Sequence, residues 1–403
     1  MKLSKFMCAA FAAAMVLVGC NKENETPVDD GSNGFKSCVL QLENVALTKL
    51  PSTDYISNNT AVTLNSFQVF FSDGTSLYQA YESDGTAVAD TYFDSDLTAM
   101  KQFHFLPHAV NEVLVIGNFD EIANLGTVDE TGKYSLTRQQ LREQINQLEI
   151  ATQQNPSNMK LFGVDQSLVA AGNHDTASDK NPVYMAEVEL KPTVARFEIT
   201  GFNYGVDPGA TARKYTSLNI KQLTVRSYFE KATAAVSGES ILTVTGSQND
   251  AYNESTYPIT EGNVNAYFNA VKGKGWFADE PNITFADPTW SKGNLNPTTD
   301  APYTAESDDP ELYSYQLFPG QVPQFLVRLE AQPVSGATEH LYLLTGSLRK
   351  SSTEILLPQD ILPGNIYRMA FAFSDESFEQ PEKCIELTVS VAKWQVNVLT
   401  PEF

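Results

Sequence analysis

The stretch "VYMAEVELKPTVARFEITGF", Val183 to Phe202, decides the fold class of this chain. Apolar side chains recur at every second position on both sides of Lys191-Pro192. These positions are Tyr184, Ala186, Val188 and Leu190 before the proline, and Ala195, Phe197 and Ile199 after it. A period of two is typical of β-strands with one face on a hydrophobic core. Because the proline interrupts the pattern, we predict two strands separated by a domain boundary between residues 190 and 191.

The same period recurs along most of the chain, in stretches such as "CVLQL", "SLNIKQLTV", "QFLVRLE", "HLYLLTGSL" and "YRMAFAF". "EVLVIGNF", from Glu112, is a continuous apolar run that predicts a central strand. One segment favours a helix, "SLTRQQLREQINQLEI", with Thr137 as a cap and an apolar face of Leu141, Ile145 and Leu148. One helix among about a dozen strands predicts an all-β protein built from two antiparallel β-sandwich domains.

Composition limits the classes of partner. The 403 residues carry a formal net charge of −22, which disfavours nucleic acids and anionic membrane surfaces as ligands. The chain also holds 17 Tyr and 23 Phe, far too many for a disordered acidic chain. We therefore expect a folded, acidic protein large enough for two domains.

The N-terminus reads as an export signal. Lys2 and Lys5 precede an apolar run over 6–18, shorter than the roughly 20 residues of a membrane-spanning helix. "LVGC" then resembles the lipobox of bacterial lipoproteins, so we predict a signal peptide over 1–19 and acylation of Cys20. A signal peptide without a lipid is the alternative. Residues 20–36 would form a polar tether, and their opening "CNKENE" resembles the surface-export signals of Bacteroidetes lipoproteins.

Two other cysteines remain in the exported chain, Cys38 and Cys384. They could form one bridge, but lone buried cysteines that pack as small hydrophobic residues are commoner. No CxxC pair is present, so cysteine chemistry predicts no metal site.

Signals of catalysis are poor. The sequence contains no GxSxG motif, no phosphate-binding loop and no Cys-His pairing motif, so we predict no enzymatic activity and no cofactor. His104 and His108 have helical metal-ligand spacing, yet Pro107 and the local alternation favour a strand and a loop. The segment from Asp129 lacks the glycine position and closing glutamate of a calcium loop, and the acidic clusters 94–96 and 307–311 read as solvated loops. "DTA" resembles an O-glycan acceptor triplet, with Thr176 as the acceptor.

Three stretches together resemble the fimbrillins, the pilins of type V pili of Bacteroidetes. They are the lipoprotein signal with the first strand "CVLQLENVALTK", the mid-chain "LKPTVARFEITGF", and the C-terminal series "LPGNIYRMAFAF…CIELTVSVAKWQVNVLTPEF". The resemblance spans nearly the whole chain in order, and the C-terminal series is its most specific part. It implies two transthyretin-like β-sandwich domains, which would correspond to residues 37–190 and 191–403.

The resemblance also implies assembly by strand exchange. A trypsin-like protease would cut after a basic residue that follows the first strand, over 37–49, and the matching bond is Lys49-Leu50. Lysine replaces the arginine of many relatives there, and Lys36 is an alternative cleavage point. The groove left by the first strand would be refilled by the C-terminal segment 394–403 of another subunit. In that segment Trp394, Val396 and Val398 share one face, although it could instead be the last strand of its own domain.

The resulting prediction is a structural subunit of a cell-surface pilus, held in the outer membrane as a lipoprotein precursor. Its partners would be other copies and the anchor and tip subunits of the fimbrium, with a surface ligand on host or bacterial cells. The alternative is a tip or accessory adhesin, or a glycan-binding surface lipoprotein that stacks sugars on Trp276 and Trp290. For those tryptophans, ordinary packing is the favoured interpretation.

Overall fold

A computed structural model of the chain describes the following residues: 34–43, 45–46, 62–88, 101–145, 148–155, 159–171, 181–229, 231–237, 240–243, 278–293, 295, 313–351, 353–379, 385–388, 390–393 and 396–398. Strands dominate these ranges. In the part of the chain that is described, no helix is long and apolar enough to cross a membrane.

The described residues of the first half of the chain form thirteen strands, one α-helix and one 3-10 turn. The strands are β1 Phe35–Glu43, β2 Val45–Ala46, β3 Val62–Leu64, β4 Phe67–Ser72, β5 Ser76–Tyr78, β6 Lys101–Pro107, β7 Glu112–Gly117, β8 Lys133–Thr137, β9 Leu148–Glu149, β10 Leu161–Asp165, β11 Val169–Ala170, β12 Val183–Glu189 and β13 Lys191–Pro192. The helix α1 is Arg138–Gln144, and the 3-10 turn is Ile150–Gln153.

The second half continues the count. Its strands are β14 Ala195–Tyr204, β15 Tyr215–Arg226, β16 Lys231–Ser237, β17 Ser240–Thr243, β18 Ala278–Asp279, β19 Ile283–Ala286, β20 Ser291–Gly293, β21 Tyr313–Leu317, β22 Gln324–Pro333, β23 Glu339–Arg349, β24 Asn365–Phe373, β25 Ile385–Thr388, β26 Ser390–Lys393 and β27 Val396–Val398. A second 3-10 turn, Pro358–Asp360, and a short helix α2, Glu376–Glu379, accompany them.

Two sheets are built from the first half. One has four strands in the order β11-β12-β1-β6, and the other has six in the order β13-β10-β7-β4-β5-β8. The interior strand β7 is buried along its whole length, as its continuous apolar run predicts. Since β13 completes the six-stranded sheet of the first half, the second half of the fold begins at β14, slightly later than the predicted boundary.

Two further sheets are built from the second half. The order β20-β14-β24-β26 forms one, with β21 on the same strand β14, and β18-β15-β22-β23-β25 forms the other, with β19 on β15. Buried residues of both halves form one continuous hydrophobic cluster. The all-β class and the sandwich arrangement are thus confirmed. Within these four sheets most pairings are antiparallel, while β1 with β12, β14 with β24, and β23 with β25 are parallel.

The predicted helix is present but shorter than its pattern. Thr137 is its N-cap, as predicted, and it forms a capping box with Gln140. The helix ends at Gln144, and Leu148 lies instead on β9, which pairs with β16 of the second half. All three residues of the predicted apolar face, Leu141, Ile145 and Leu148, are still buried. Pairing with a distant strand therefore replaces the last turn of the predicted helix, and the Leu148 side chain stays buried.

Candidate strand-exchange site

The first strand, β1, lies inside its sheet. It pairs in parallel with β12 over the whole of Ser37 to Glu43, and antiparallel with β6 on its other side. The strand begins at Phe35, so the last two residues of the predicted tether belong to it. An interior strand leaves two unpaired neighbours when it is removed. Loss of β1 would therefore open a groove between β12 and β6.

The side chains of β1 belong to the core of the first half. Cys38 is fully buried, and Val39 and Leu40 are buried beside it. The Cys38 thiol is free, and burial raises its pKa to about 12, so it stays protonated at physiological pH. The expectation of a lone, buried, apolar cysteine is confirmed for Cys38, and Cys384 lies outside the described residues.

Lys36 has an unusual position at the start of β1. It is only 5% exposed, its Nζ donates a hydrogen bond to the backbone carbonyl of Val110, and it lies 4.7 Å from the centre of the Tyr184 ring. Burial lowers the pKa of this ammonium group. Proteases cut exposed, extended segments, so a buried lysine in an interior strand is a poor cleavage point in the folded chain.

The two histidines with metal-ligand spacing do not form a metal site together. His104 is buried in β6, and its Nδ1 lies 3.3 Å from the Ser37 hydroxyl oxygen, while His108 is exposed in the following turn. The described residues contain no group of three His, Cys, Asp or Glu side chains able to hold a metal ion. His104 instead lines the position that β1 occupies in the sheet.

The C-terminal strand β27 lies beside the first half of the chain. Val396 and Asn397 pair in parallel with β2, and Val396 to Val398 pair in parallel with β3, giving the order β2-β27-β3. The last strand in the sheets of the second half is β26, next to β24. The segment between β2 and β3 contains the predicted cleavage bond. β27 thus pairs with the strand before that bond, β2, and with the strand after it, β3.

Asn118 fixes β3, one of the two partners of β27. Its side-chain nitrogen donates to the carbonyls of Thr63 at 2.6 Å and Met159 at 2.8 Å, and its side-chain oxygen accepts from the Asn65 amide at 2.7 Å. The residue adopts a φ of 61°, which asparagine tolerates better than most residues. Sequence reasoning missed Asn118, although an Asn directly after the buried run of β7 was an available signal of a turn.

Several predicted site residues lie outside the described residues. They are Cys20, Lys49, Leu50, Thr176, Trp276 and Trp394. The backbone of Val396 and Val398 is described, on β27. These assignments remain predictions.

Trp290 is packed into the second half of the fold. It is 9% exposed, its ring meets Tyr204 edge-on at 5.3 Å, and the guanidinium of Arg213 lies 4.7 Å from its centre. A cation already covers one face of the indole. The favoured interpretation of this tryptophan, ordinary packing, is confirmed, and it offers no open face for a sugar.

Comparisons with known proteins identify the fold. No protein-family model matches the chain, and no curated protein matches it in sequence. Among solved structures, a protein proposed to act in cell adhesion from Parabacteroides distasonis aligns with a TM-score of 0.50 at 12% identity, over 90% of this chain and 98% of that one.

Two further structures align less closely. A protein proposed to act in cell adhesion from Bacteroides eggerthii has a TM-score of 0.45 at 15% identity, over 91% of this chain and 98% of that one. A fimbrilin from Porphyromonas gingivalis has a TM-score of 0.43 at 11% identity, over 91% and 99%. The alignment with a TM-score of 0.50 shows that the chain has the fold of the Parabacteroides protein over nearly its full length. That fold agrees with the all-β sandwich architecture that the sequence resemblance implied.

Proposed function

We propose that this protein is a structural subunit of a cell-surface pilus that polymerises by strand exchange after one proteolytic cut. The observation that carries the proposal is the position of β1 and β27. The first is an interior strand connected to the body only through the segment before β3, and the second contacts both flanks of that segment. Cutting that segment makes β1 a separable peptide.

The cut after Lys49 would act on two strands at once. While the chain is intact, β1 is present at a very high effective concentration and excludes any rival from its groove. After the cut, β1 and β2 belong to a separate peptide, so their departure opens the groove. The same departure removes one of the two neighbours of β27. Groove opening and release of the donor strand would then follow from one event.

The energies make exchange feasible. Each well-buried apolar side chain of β1 contributes about 1.5–3 kcal/mol to keeping the strand in its groove. While the chain is intact, the covalent connection adds to this retention; after the cut, only the contacts remain. An incoming strand with Trp394, Val396 and Val398 on one face offers a comparable apolar area, together with a full set of ladder hydrogen bonds. Exchange therefore replaces one set of contacts with a similar set in another copy.

Export and partners complete the proposal. Acylation of Cys20 would hold the precursor in the outer membrane, and the mature subunits would join one another and the anchor and tip subunits in an extracellular fimbrium. We propose no catalytic activity and no cofactor. The alternative, a tip or accessory adhesin or a glycan-binding lipoprotein, retains Trp276 as a sugar platform but not the packed Trp290.

A matched pair of chains tests the cut. Purified parent protein and the Lys49→Gln variant are treated with trypsin under limited conditions, and the products are examined by electron microscopy and N-terminal sequencing. We expect fibres from the parent alone, with subunits beginning at Leu50. Fibres from Lys49→Gln, or fibres that begin at Cys20, would contradict the proposal.

A disulfide lock tests the role of β27. Ala46 and Asn397 are register partners, so Ala46→Cys combined with Asn397→Cys should bridge β2 to β27. The oxidised chain, cut after Lys49, should stay monomeric and should polymerise once a reductant opens the bridge. The matched control carries Ala46→Cys alone and should polymerise under both conditions. Fibre formation by the locked chain would rule out β27 as the donor.

Two further variants address the anchor and the donor segment. Cys20→Ser should leave the membrane fraction and lose acyl label, and a variant that keeps both would disprove lipidation at this residue. Deletion of 395–403 should leave the thermal melt of the intact monomer close to that of the parent while abolishing fibres. A deletion variant that misfolds would favour an intradomain role for this segment.

A further inference from the structure

The start of β1 occupies a polar position at one end of the groove, whereas the face that holds Cys38 and Leu40 is apolar. Two groups receive the Lys36 ammonium there, the backbone carbonyl of Val110 and the ring of Tyr184. We call this pair the Lys36 subsite. Val110 is fully buried in the intact chain, and its carbonyl oxygen loses the Lys36 donor when β1 leaves. Farther along the groove, Cys38 and Leu40 pack among Phe103 and Ala186, which are apolar.

We propose that the Lys36 subsite sets the register of the incoming strand by receiving Trp394 of a second copy of this chain. This inference rests on the strand-exchange function proposed above. Trp394 would take the place of Lys36, Val396 the place of Cys38, and Val398 the place of Leu40. The indole N–H would donate to the Val110 carbonyl, and the indole ring would lie against Tyr184.

The chemistry of the donor face supports this register. Trp394, Val396 and Val398 share one face, and of these three only tryptophan has a side-chain N–H donor. Its aromatic ring also suits the Tyr184 ring, which the lysine ammonium contacts in the unexchanged chain. The two valines are apolar and match the apolar stretch that holds Cys38 and Leu40.

Other registers fail for separate reasons. A slip by one residue turns Gln395 and Asn397 toward the core and both valines away from it. A slip by two residues keeps the faces correct but places Val396 at the Lys36 subsite, where a valine cannot donate to the Val110 carbonyl. The Lys36 subsite therefore discriminates between registers that the hydrophobic pattern alone leaves equivalent.

The direction of the strand follows from the same match. β1 runs parallel to β12, with Lys36 at the end near Val110. An incoming strand that runs the same way brings Trp394 to that end. The opposite direction would bring a residue from the far end of the segment, and its side chains would meet the subsite in reverse order.

Disulfide trapping in fibres tests the register. In β1, Val39 is the register partner of Met185 and Ser37 is the register partner of Val183, both on β12. The proposed register places Asn397 where Val39 was, next to Met185. Asn397→Cys combined with Met185→Cys should therefore form intermolecular bridges, seen as a ladder of oligomers on a non-reducing gel. Asn397→Cys combined with Val183→Cys reports the slip by two residues that puts Val396 at the Lys36 subsite.

Both double variants carry Cys384→Ser and are cut after Lys49 before assembly, so that the cut also removes Cys38. We expect the Met185→Cys pair to cross-link about tenfold more than the Val183→Cys pair, a ratio equivalent to about 1.4 kcal/mol. Equal yields, or a preference for Val183→Cys, would overturn the register. Fibres without either cross-link would also overturn it, whereas a failure to form any fibre would count against the strand-exchange function itself.

A substitution separates the subsite from general packing. Trp394→Phe keeps an aromatic ring but removes the N–H donor, so fibres should still form while the preference for the Met185→Cys pair falls toward equality. Tyr184→Leu should weaken the same preference from the acceptor side. If both variants keep the parent's tenfold preference, the Lys36 subsite does not set the register.

Discussion

At the scale of single residues, the packing of β1 in its sheet includes a buried thiol. Cys38 is fully buried, and desolvation is the main reason that its pKa lies near 12 instead of the ordinary 9.0. The nearby Lys36 ammonium opposes this shift only in part. As the pH rises, the Cys38 thiolate therefore forms in the unfolded chain well before it forms in the folded state.

This difference predicts a loss of stability in alkaline solution. Above pH 9 the unfolded chain releases the Cys38 proton and the folded chain retains it, so the free energy of unfolding falls by about 1.4 kcal/mol per pH unit, up to the folded pKa. Cys38→Val removes the titration and serves as the control. Urea midpoints at about pH 8 and about pH 10 should differ more for the parent than for Cys38→Val, and equal differences would show that Cys38 titrates normally.

A second buried polar group lies in the second half of the molecule. The carboxylate of Glu198 accepts from Arg196 Nε and from Arg368 Nε, each at 2.7 Å. All three side chains are nearly inaccessible, and burial lowers the pKa of Arg196. One carboxylate thus holds two buried guanidinium groups on the neighbouring strands β14 and β24.

Loss of that carboxylate should be costly. Glu198→Gln removes the carboxylate charge that both buried guanidinium groups contact, and we expect the free energy of unfolding to fall by about 3–5 kcal/mol. The triple variant Arg196→Met, Glu198→Leu, Arg368→Met removes all three charges and should recover most of that loss. Urea unfolding of both variants measures the comparison. A triple variant as unstable as Glu198→Gln would mean that packing, and not charge, limits this site.

At the scale of elements, the two sheets of the first half approach each other closely at one glycine. A Cβ added to Gly163 on β10 would lie 2.6 Å from Val188 Cγ1 and 2.7 Å from the Glu189 carbonyl oxygen, both on β12. β12 is also a wall of the groove that holds β1. The small size of Gly163 therefore sets the position of that wall.

Two alanine substitutions form a matched test. Gly163→Ala meets backbone and a stiff β-branched side chain, so we expect a loss of about 1–3 kcal/mol, typical of overpacking. In Gly117→Ala on β7, the nearest atom is Leu64 Cδ1 at 2.7 Å, the end of a flexible side chain that can move aside. Thermal unfolding should show Gly163→Ala as the less stable variant, and the reverse order would contradict the close approach of β10 and β12.

At the scale of the whole molecule, charge opposes assembly. The first 49 residues hold five lysines and five acidic residues, so a chain cut after Lys49 keeps the full net charge of −22. Two such subunits repel each other at low ionic strength, and salt screens this repulsion within about 10 Å at 0.1 M. Strand exchange must then overcome an electrostatic barrier whose height depends on the salt concentration.

Fibre growth should therefore accelerate with salt. Light scattering of cut protein should show faster growth at about 0.3 M NaCl than at about 0.01 M, because the Debye length falls from about 30 Å to below 8 Å. A neutral osmolyte at equal osmolality is the control and should leave the rate nearly unchanged. Growth that slows with salt would instead indicate attraction between oppositely charged surfaces of the two subunits.

Local patterns alone determined the type of most elements. The period of two around Lys191-Pro192 predicted β12 and β14, the apolar run from Glu112 predicted a central strand, and Thr137 predicted a helix cap. These features depend on neighbours within a few residues, so they can be read from the chain itself. The burial of Cys38 followed for the same reason, from its place on the apolar face of β1.

Tertiary structure alone decided which strands became neighbours. A strand's period shows which face is apolar but carries no record of its partner, so neither the position of β1 between β12 and β6 nor that of β27 between β2 and β3 could be predicted. Leu148 lies on a strand and not on the predicted helix because its segment pairs with β16, which is far along the chain. Lys36 reads as a surface residue by type and became buried because Val110 and Tyr184, both distant in sequence, meet its ammonium group.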